Sequence, residues 1–160
     1  MQKKQDVSVL QTNGSGVLSF ASGGGKVLQV VTATDIIQRT TTSTSFVTGS
    51  NTLSVSITPS SASNKVFIIA SHYVYNSATA CQYTIFRGAT NIGSSTGNNS
   101  IGYFDSNNGA IDGSLCYTVL DSPSTTSATT YQVYMKAGSG TTYLGSTSYL
   151  SRITAFEIAA

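Results

Sequence analysis

The chain has 160 residues, of which 39% are hydrophobic and only 9% charged, long enough for one domain with a real core. Its formal net charge of +2 is too small to point to nucleic acid or an acidic membrane surface. Good helix formers are sparse and never recur at three-to-four spacing, while Ser, Thr, Val, Ile and nine tyrosines abound, so strands are expected throughout.

No apolar run approaches the ~20 residues needed to span a bilayer, and no membrane insertion is expected. The opening MQKKQDVSVLQTNGSG has basic residues but lacks the apolar region of a secretory signal. Synthesis in a cytoplasm follows as the expectation. Cys81 and Cys116 then read as free, strand-borne core thiols, since their spacing matches no metal or redox motif.

Residues 1–24 differ from the rest. Val7, Val9 and Leu10 predict a short strand, Asn13-Gly14 a tight turn, and Val17, Leu18 and Phe20 a returning strand. Gly23 to Gly25 form a joint. Two strands alone are marginal in water, so this arm needs a surface, on its own domain or on another protein.

The main domain is expected over residues 25–160. Residues 26–34 predict its first strand, and Ile36 and Ile37, being adjacent, point to opposite faces. Thr40 to Thr44 read as a loop or an exposed edge, and Phe46 and Val47 as a short strand. Leu53, Val55 and Ile57 alternate with Ser54, Ser56 and Thr58, the period of a strand with one buried face. Pro59 ends it, and the small polar residues 60–64 turn the chain. Val66, Phe67, Ile68 and Ile69 then form an apolar run that suits a strand covered on both faces. A wet-faced strand followed by a deep one marks the seam of a β-sandwich.

Further strands are predicted over Cys81–Arg87, which alternates cleanly, then weakly over Thr90–Ser95. Tyr103 and Phe104 lead into a loop by composition, Asp105 to Gly109. Ser114–Leu120 is a strong strand that Asp121 ends as a turn former. Thr130–Ala137, Thr142–Leu144 and Arg152–Ile158 complete eight to ten short strands. The expected fold is an all-β antiparallel sandwich of jelly-roll type, preceded by the N-terminal hairpin. An immunoglobulin-like sandwich is second, weakened by the absence of Trp.

Residues suited to chemistry are few. His72 is the sole histidine and lies in an apolar strand run, which favours a structural role over a Ser-His-Asp arrangement, and no G-x-S-x-G elbow is present. Of six acids, only Asp105 and Asp112, expected to share one loop, suggest the pair a glycosidase needs. The Asp105–Gly109 stretch lacks the spacing of a calcium loop, and no zinc spacing or phosphate loop occurs. A non-enzyme without metal or cofactor is expected. Tyr103, Phe104, Asp105, Asn107 and Asn108 form the candidate receptor-contact loop, because aromatic rings with polar tips beside amides suit an exposed contact.

Four pieces in order, SVSITPSSASNKVFI, FRGATNIG, LDSPSTTSATTYQVY and ITAFEIAA, resemble the terminal domain of bacteriophage fibre-like virion proteins. LQTNGSGVLSFAS resembles the segment that precedes that domain. The resemblance implies a virion structural protein: a short trimeric fibre or spike tip that contacts a host glycan or protein. It implies attachment to another virion protein through residues 1–24, by way of Val7, Val9, Leu10, Val17, Leu18 and Phe20. A capsid decoration or head-fibre protein of the same build and a soluble carbohydrate-binding module are the alternatives.

Overall fold

A computed structural model describes residues 8–12, 18–22, 26–76, 80–93, 100–105 and 111–160. Strands β1 (Ser8–Thr12) and β2 (Leu18–Ser22) form an antiparallel hairpin with Leu10 opposite Phe20 and Val9 opposite Ala21. Among the described residues, this hairpin pairs with no strand of the two main sheets. Eleven strands follow, one more than the upper expectation: β3 (Val27–Asp35), β4 (Arg39–Thr41), β5 (Ser54–Ile57), β6 (Lys65–Asn76), β7 (Ala80–Arg87), β8 (Thr90–Asn91), β9 (Gly102–Asp105), β10 (Ile111–Asp121), β11 (Thr129–Ala137), β12 (Thr142–Leu144) and β13 (Ser151–Ile158).

The first sheet runs β3–β13–β6–β10, and the small pair β4–β12 extends it where β12 takes over the edge of β6 from β13. The second runs β5–β11–β7, with β8 and β9 sharing the far edge of β7. Take β8 and β9 as one broken strand and set β4–β12 aside. The remaining strands then pair first with last (β3–β13), second with seventh (β5–β11), third with sixth (β6–β10) and fourth with fifth (β7–β8/β9). That nested pairing is the jelly-roll arrangement of two sheets.

Alternation in the sequence drives the packing. Leu53, Val55 and Ile57 are buried while Ser56 is exposed, and the turn at residues 58–64 carries the chain from the second sheet to the first. Val66, Ile68, Ala70 and Val74 of β6 then meet Tyr83, Ile85, Val133 and Met135 in one core. Gly49 sits at φ +57° where a Cβ would meet the Met135 methyl at 2.0 Å, so only glycine lets that segment lie along β11.

Three expectations need correction. The run Val66–Ile69 is not covered on both faces: burial alternates along the whole of β6, and Phe67 and Ile69 look outward, half-buried. Cys81 is a core thiol, but Cys116 points out from β10 and is exposed, because it is in register with Ser71 on the outer face. Asp105 and Asp112 do not share a loop. They lie on β9 and β10, strands of opposite sheets.

Candidate functional site

The outer face of the first sheet carries a transverse apolar row. Cross-strand register sets Val30 beside Phe156, Phe156 beside Phe67, and Phe67 beside Leu120. The two phenylalanine rings lie 6.2 Å apart, while Val30 and Leu120 are 53% and 57% exposed. Farther along the same face Tyr73 stacks on Tyr149 at 5.3 Å and Tyr75 meets Tyr143 edge-on at 5.0 Å. Ile36 and Ile37, just after β3, and Tyr149 and Leu150, just before β13, add exposed apolar surface where those two strands meet. Among the described residues nine large apolar or aromatic side chains are exposed, and eight belong to this sheet or its connections. The ninth is Tyr103.

Tyr103 lies on the second sheet. Tyr103, Phe104 and Asp105, expected at the head of a loop, form β9 instead, opposite Gln82, Cys81 and Ala80 of β7. Asn107 and Asn108, like Val7 and Val17 of the arm, lie outside the described residues. Tyr103 is 49% exposed and its hydroxyl donates to Asp105 Oδ2 at 3.1 Å, a bond that, with lesser help from desolvation, raises the phenol pKa. Across the same outer face Phe86 stacks on Tyr134 at 4.0 Å, Phe46 meets Phe86 edge-on, and the Lys136 ammonium stands 4.7 Å above the Phe46 ring.

The residues weighed for catalysis are held in structural clusters. His72 is buried, with Nε2 3.1 Å from the Tyr117 hydroxyl and Nδ1 3.3 Å from the Tyr73 carbonyl oxygen. Burial pushes its pKa down to about 4, against a smaller upward pull from the Tyr73 carbonyl. Asp121 does more than end a strand. It receives Arg87 Nη1 at 2.8 and 2.9 Å and the Tyr131 hydroxyl at 2.7 Å, closing the first sheet onto the second.

Glu157, a residue that strand patterning alone left unremarkable, is 1% exposed. Its Oε1 accepts from the Ser60 amide at 2.6 Å, the Ser60 hydroxyl at 2.7 Å and Asn64 Nδ2 at 2.6 Å, and its Oε2 from Gln29 Nε2 at 2.8 Å. Burial acts to raise its pKa, but these bonds from Asn64, Gln29 and Ser60 outweigh it and hold the carboxyl at about 2. Among the described residues no three His, Cys, Asp or Glu side chains gather as a metal site, and no helix is long and apolar enough to cross a membrane.

No family model and no curated protein matches the chain. Solved structures do match, among them several of one virus. The chain is similar to the Gx strain of infectious bursal disease virus at 13% identity and a TM-score of 0.43, covering 96% of this chain and 37% of that one. For the Gt strain the figures are 12% and 0.42, with 100% and 46% covered. For the virus's VP2 protein in derived T=1 particles they are 12% and 0.40, with 93% and 40% covered. The chain therefore spans less than half the length of these proteins. At this level the likeness carries no functional inference.

Proposed function

We propose that the chain is a non-enzymatic bacteriophage virion protein: a homotrimeric short fibre or spike tip that packs through the outer face of its first sheet and serves in attachment to the host surface. One observation carries this reading: of the nine large apolar or aromatic side chains exposed among the described residues, eight lie on the first sheet or its connections. Exposed apolar surface scattered singly means little, whereas a contiguous patch marks an interaction face. The row Val30–Phe156–Phe67–Leu120 supplies its centre. Jelly rolls serve as capsid and lectin domains, which fits the reading without deciding it. Residues 1–24 would hold the protein to another virion component, and the second sheet, with Tyr103, would face outward.

Native mass by light scattering tests it, for the full chain and for a chain starting at Gly25. A trimer in both supports assembly through the sheet. Monomers in both overturn it and bring forward the soluble carbohydrate-binding module. Removal of residues 1–24 is expected to abolish incorporation into particles while leaving the domain folded. Labelling of intact particles on the tail supports the fibre tip, and labelling on the shell selects capsid decoration instead.

A further inference from the structure

The first sheet ends in two open strands. Among the described residues β3 pairs only with β13, and β10 only with β6. Both edges are long, nine and eleven residues, and neither strand contains the Lys or Pro that commonly guards an edge. Charge enters only towards their ends, as Asp35, Asp112 and Asp121. The direction of their main-chain groups follows from one bond and the register. The Gly145 amide donates to the Tyr73 carbonyl at 2.8 Å, so odd-numbered residues of β6 bond towards β12 and β13 and even-numbered ones towards β10. Carried across the register, the even-numbered residues of β3 and β10 turn their N–H and C=O groups to the free edges. The Thr52 hydroxyl agrees, since it donates to the Thr34 carbonyl at 3.4 Å from the side of β3 away from β13.

We propose that the β10 edge of one copy pairs antiparallel with the β3 edge of the next, so that the first sheet runs on from subunit to subunit. Three features fit a second copy of this chain. Three antiparallel pairings separate β3 from β10, so the two strands run in opposite directions. Rotation about an axis along the strands therefore sets β10 antiparallel to the neighbouring β3. The even-numbered residues that turn main-chain groups to the edges also carry the outer-face side chains. Val30, Thr32 and Thr34 thus meet Leu120, Thr118 and Cys116 as hydrogen-bonded pairs with like faces together. The apolar row ends at the same two edges, in Val30 and Leu120, each more than half exposed, and the seam covers both. Pairing β10 with β10, or β3 with β3, would leave the other edge open, whereas head-to-tail pairing in a closed ring uses every edge.

This deepens the trimer reading and rests on it for the number of copies. The test is disulfide trapping of the purified full chain, with native Cys116 and one added cysteine on β3: Val30→Cys, Thr32→Cys or Thr34→Cys. Opposed residues of a hydrogen-bonded pair lie about 5.5 Å apart at Cα, within disulfide reach. The three positions allow for a stagger of two or four residues, which keeps the same faces together. Within one subunit β3 and β10 stand about three strand spacings, roughly 14 Å, apart, so any link joins two copies. Oxidation with copper phenanthroline is expected to link at least one of the three variants. The link should be lost on adding Cys116→Ser and absent from Ser56→Cys, an exposed position on the second sheet. Covalent products that stop at three support both the seam and the trimer. Products that climb past three keep the seam, as an open filament, and overturn the trimer. A trimer by light scattering with no link at any of the three positions overturns the seam and leaves the trimer to face packing. Dimers of the unmodified chain joined through Cys116 overturn the seam too, since they set β10 against β10. Monomers without links overturn both.

Discussion

Asn64 Nδ2 donates to Glu157 Oε1 at 2.6 Å, tying the turn that enters the first sheet to the strand that completes it. The same carboxylate collects Ser60 and Gln29, so one acid fastens β3, β13 and the crossing between the sheets. Replacing it strands several donors at once. Glu157→Ala is expected to lower unfolding free energy by about 3 kcal/mol, read by urea denaturation. Asn64→Ala, which removes one donor and leaves the others paired, should cost about 1 kcal/mol. Equal losses in the two variants would refute the shared-acceptor account.

Acid should unfold the protein in two stages. His72 has an ordinary value of 6.5 and a folded value of about 4. The unfolded chain therefore takes the proton first, and the stability linked to neutral His72 is present above pH 6.5 and lost as the pH falls towards 4. Glu157 has an ordinary value of 4.5 and a folded value of about 2, so its contribution is present above 4.5 and lost between 4.5 and 2. Melting temperature followed from neutral pH downward is expected to show both declines. His72→Gln should flatten the upper and Glu157→Gln the lower, and a variant that changes neither slope would count against its assignment.

Charge on the outer row should break assembly without unfolding the domain. Leu120 is 57% exposed and sits at the end of the Val30–Phe156–Phe67 row. Leu120→Asp is expected to give monomers by light scattering with a melting temperature close to that of a wild-type monomer, since burying an unpaired carboxylate at an interface is costly. An unchanged oligomer would move the interface elsewhere.

The two thiols report the same event differently. Cys116 lies outward on β10 in register with Ser71, near the apolar row, whereas Cys81 is in the core. In the assembled protein Cys116 is expected to react slowly with a maleimide and in the Leu120→Asp monomer at least about tenfold faster, following its exposure. Cys81 should react in neither until the protein unfolds. Fast labelling of Cys116 in the assembled wild type would place β10 outside the interface.

Met135 and Gly49 offer a packing test. A methyl group at position 49 would fall 2.0 Å from the Met135 methyl in a backbone of positive φ. Gly49→Ala is therefore expected to cost about 2 kcal/mol by strain and overpacking, measured by denaturant unfolding. Adding Met135→Ala opens the space, and the double variant should cost less than the sum of the two singles.

Strands that alternate cleanly were legible. Leu53, Val55 and Ile57 and the Tyr131–Val133–Met135 series name their buried face, because period two maps onto opposite sides of a sheet. Phe67 and Ile69 were misread for the converse reason: an apolar residue facing outward looks the same in sequence as one beneath a second layer. Periodicity reports what avoids water, not what replaces it. Asp105 and Asp112 seemed to share a loop because they are seven positions apart, yet the chain crosses between sheets there. Glu157 gave no local signal at all, since its donors lie 93, 97 and 128 residues away. Alternation puts Gln82 on the correct face, but nothing local to it marks the side chain as buried.

The position of β13 has a consequence for how the protein is made. Its residues Ser151–Ile158 do not lie at an edge but fill the slot between β3 and β6. On the ribosome, β3 and β6 emerge long before the strand that joins them, and each must wait with an open side. Long-range closure of this kind slows folding and leaves unpaired strands exposed meanwhile. The Ser- and Thr-rich turns around those strands are then a safeguard for the unfinished chain, holding it in solution until the final eight-residue strand snaps the sheet shut.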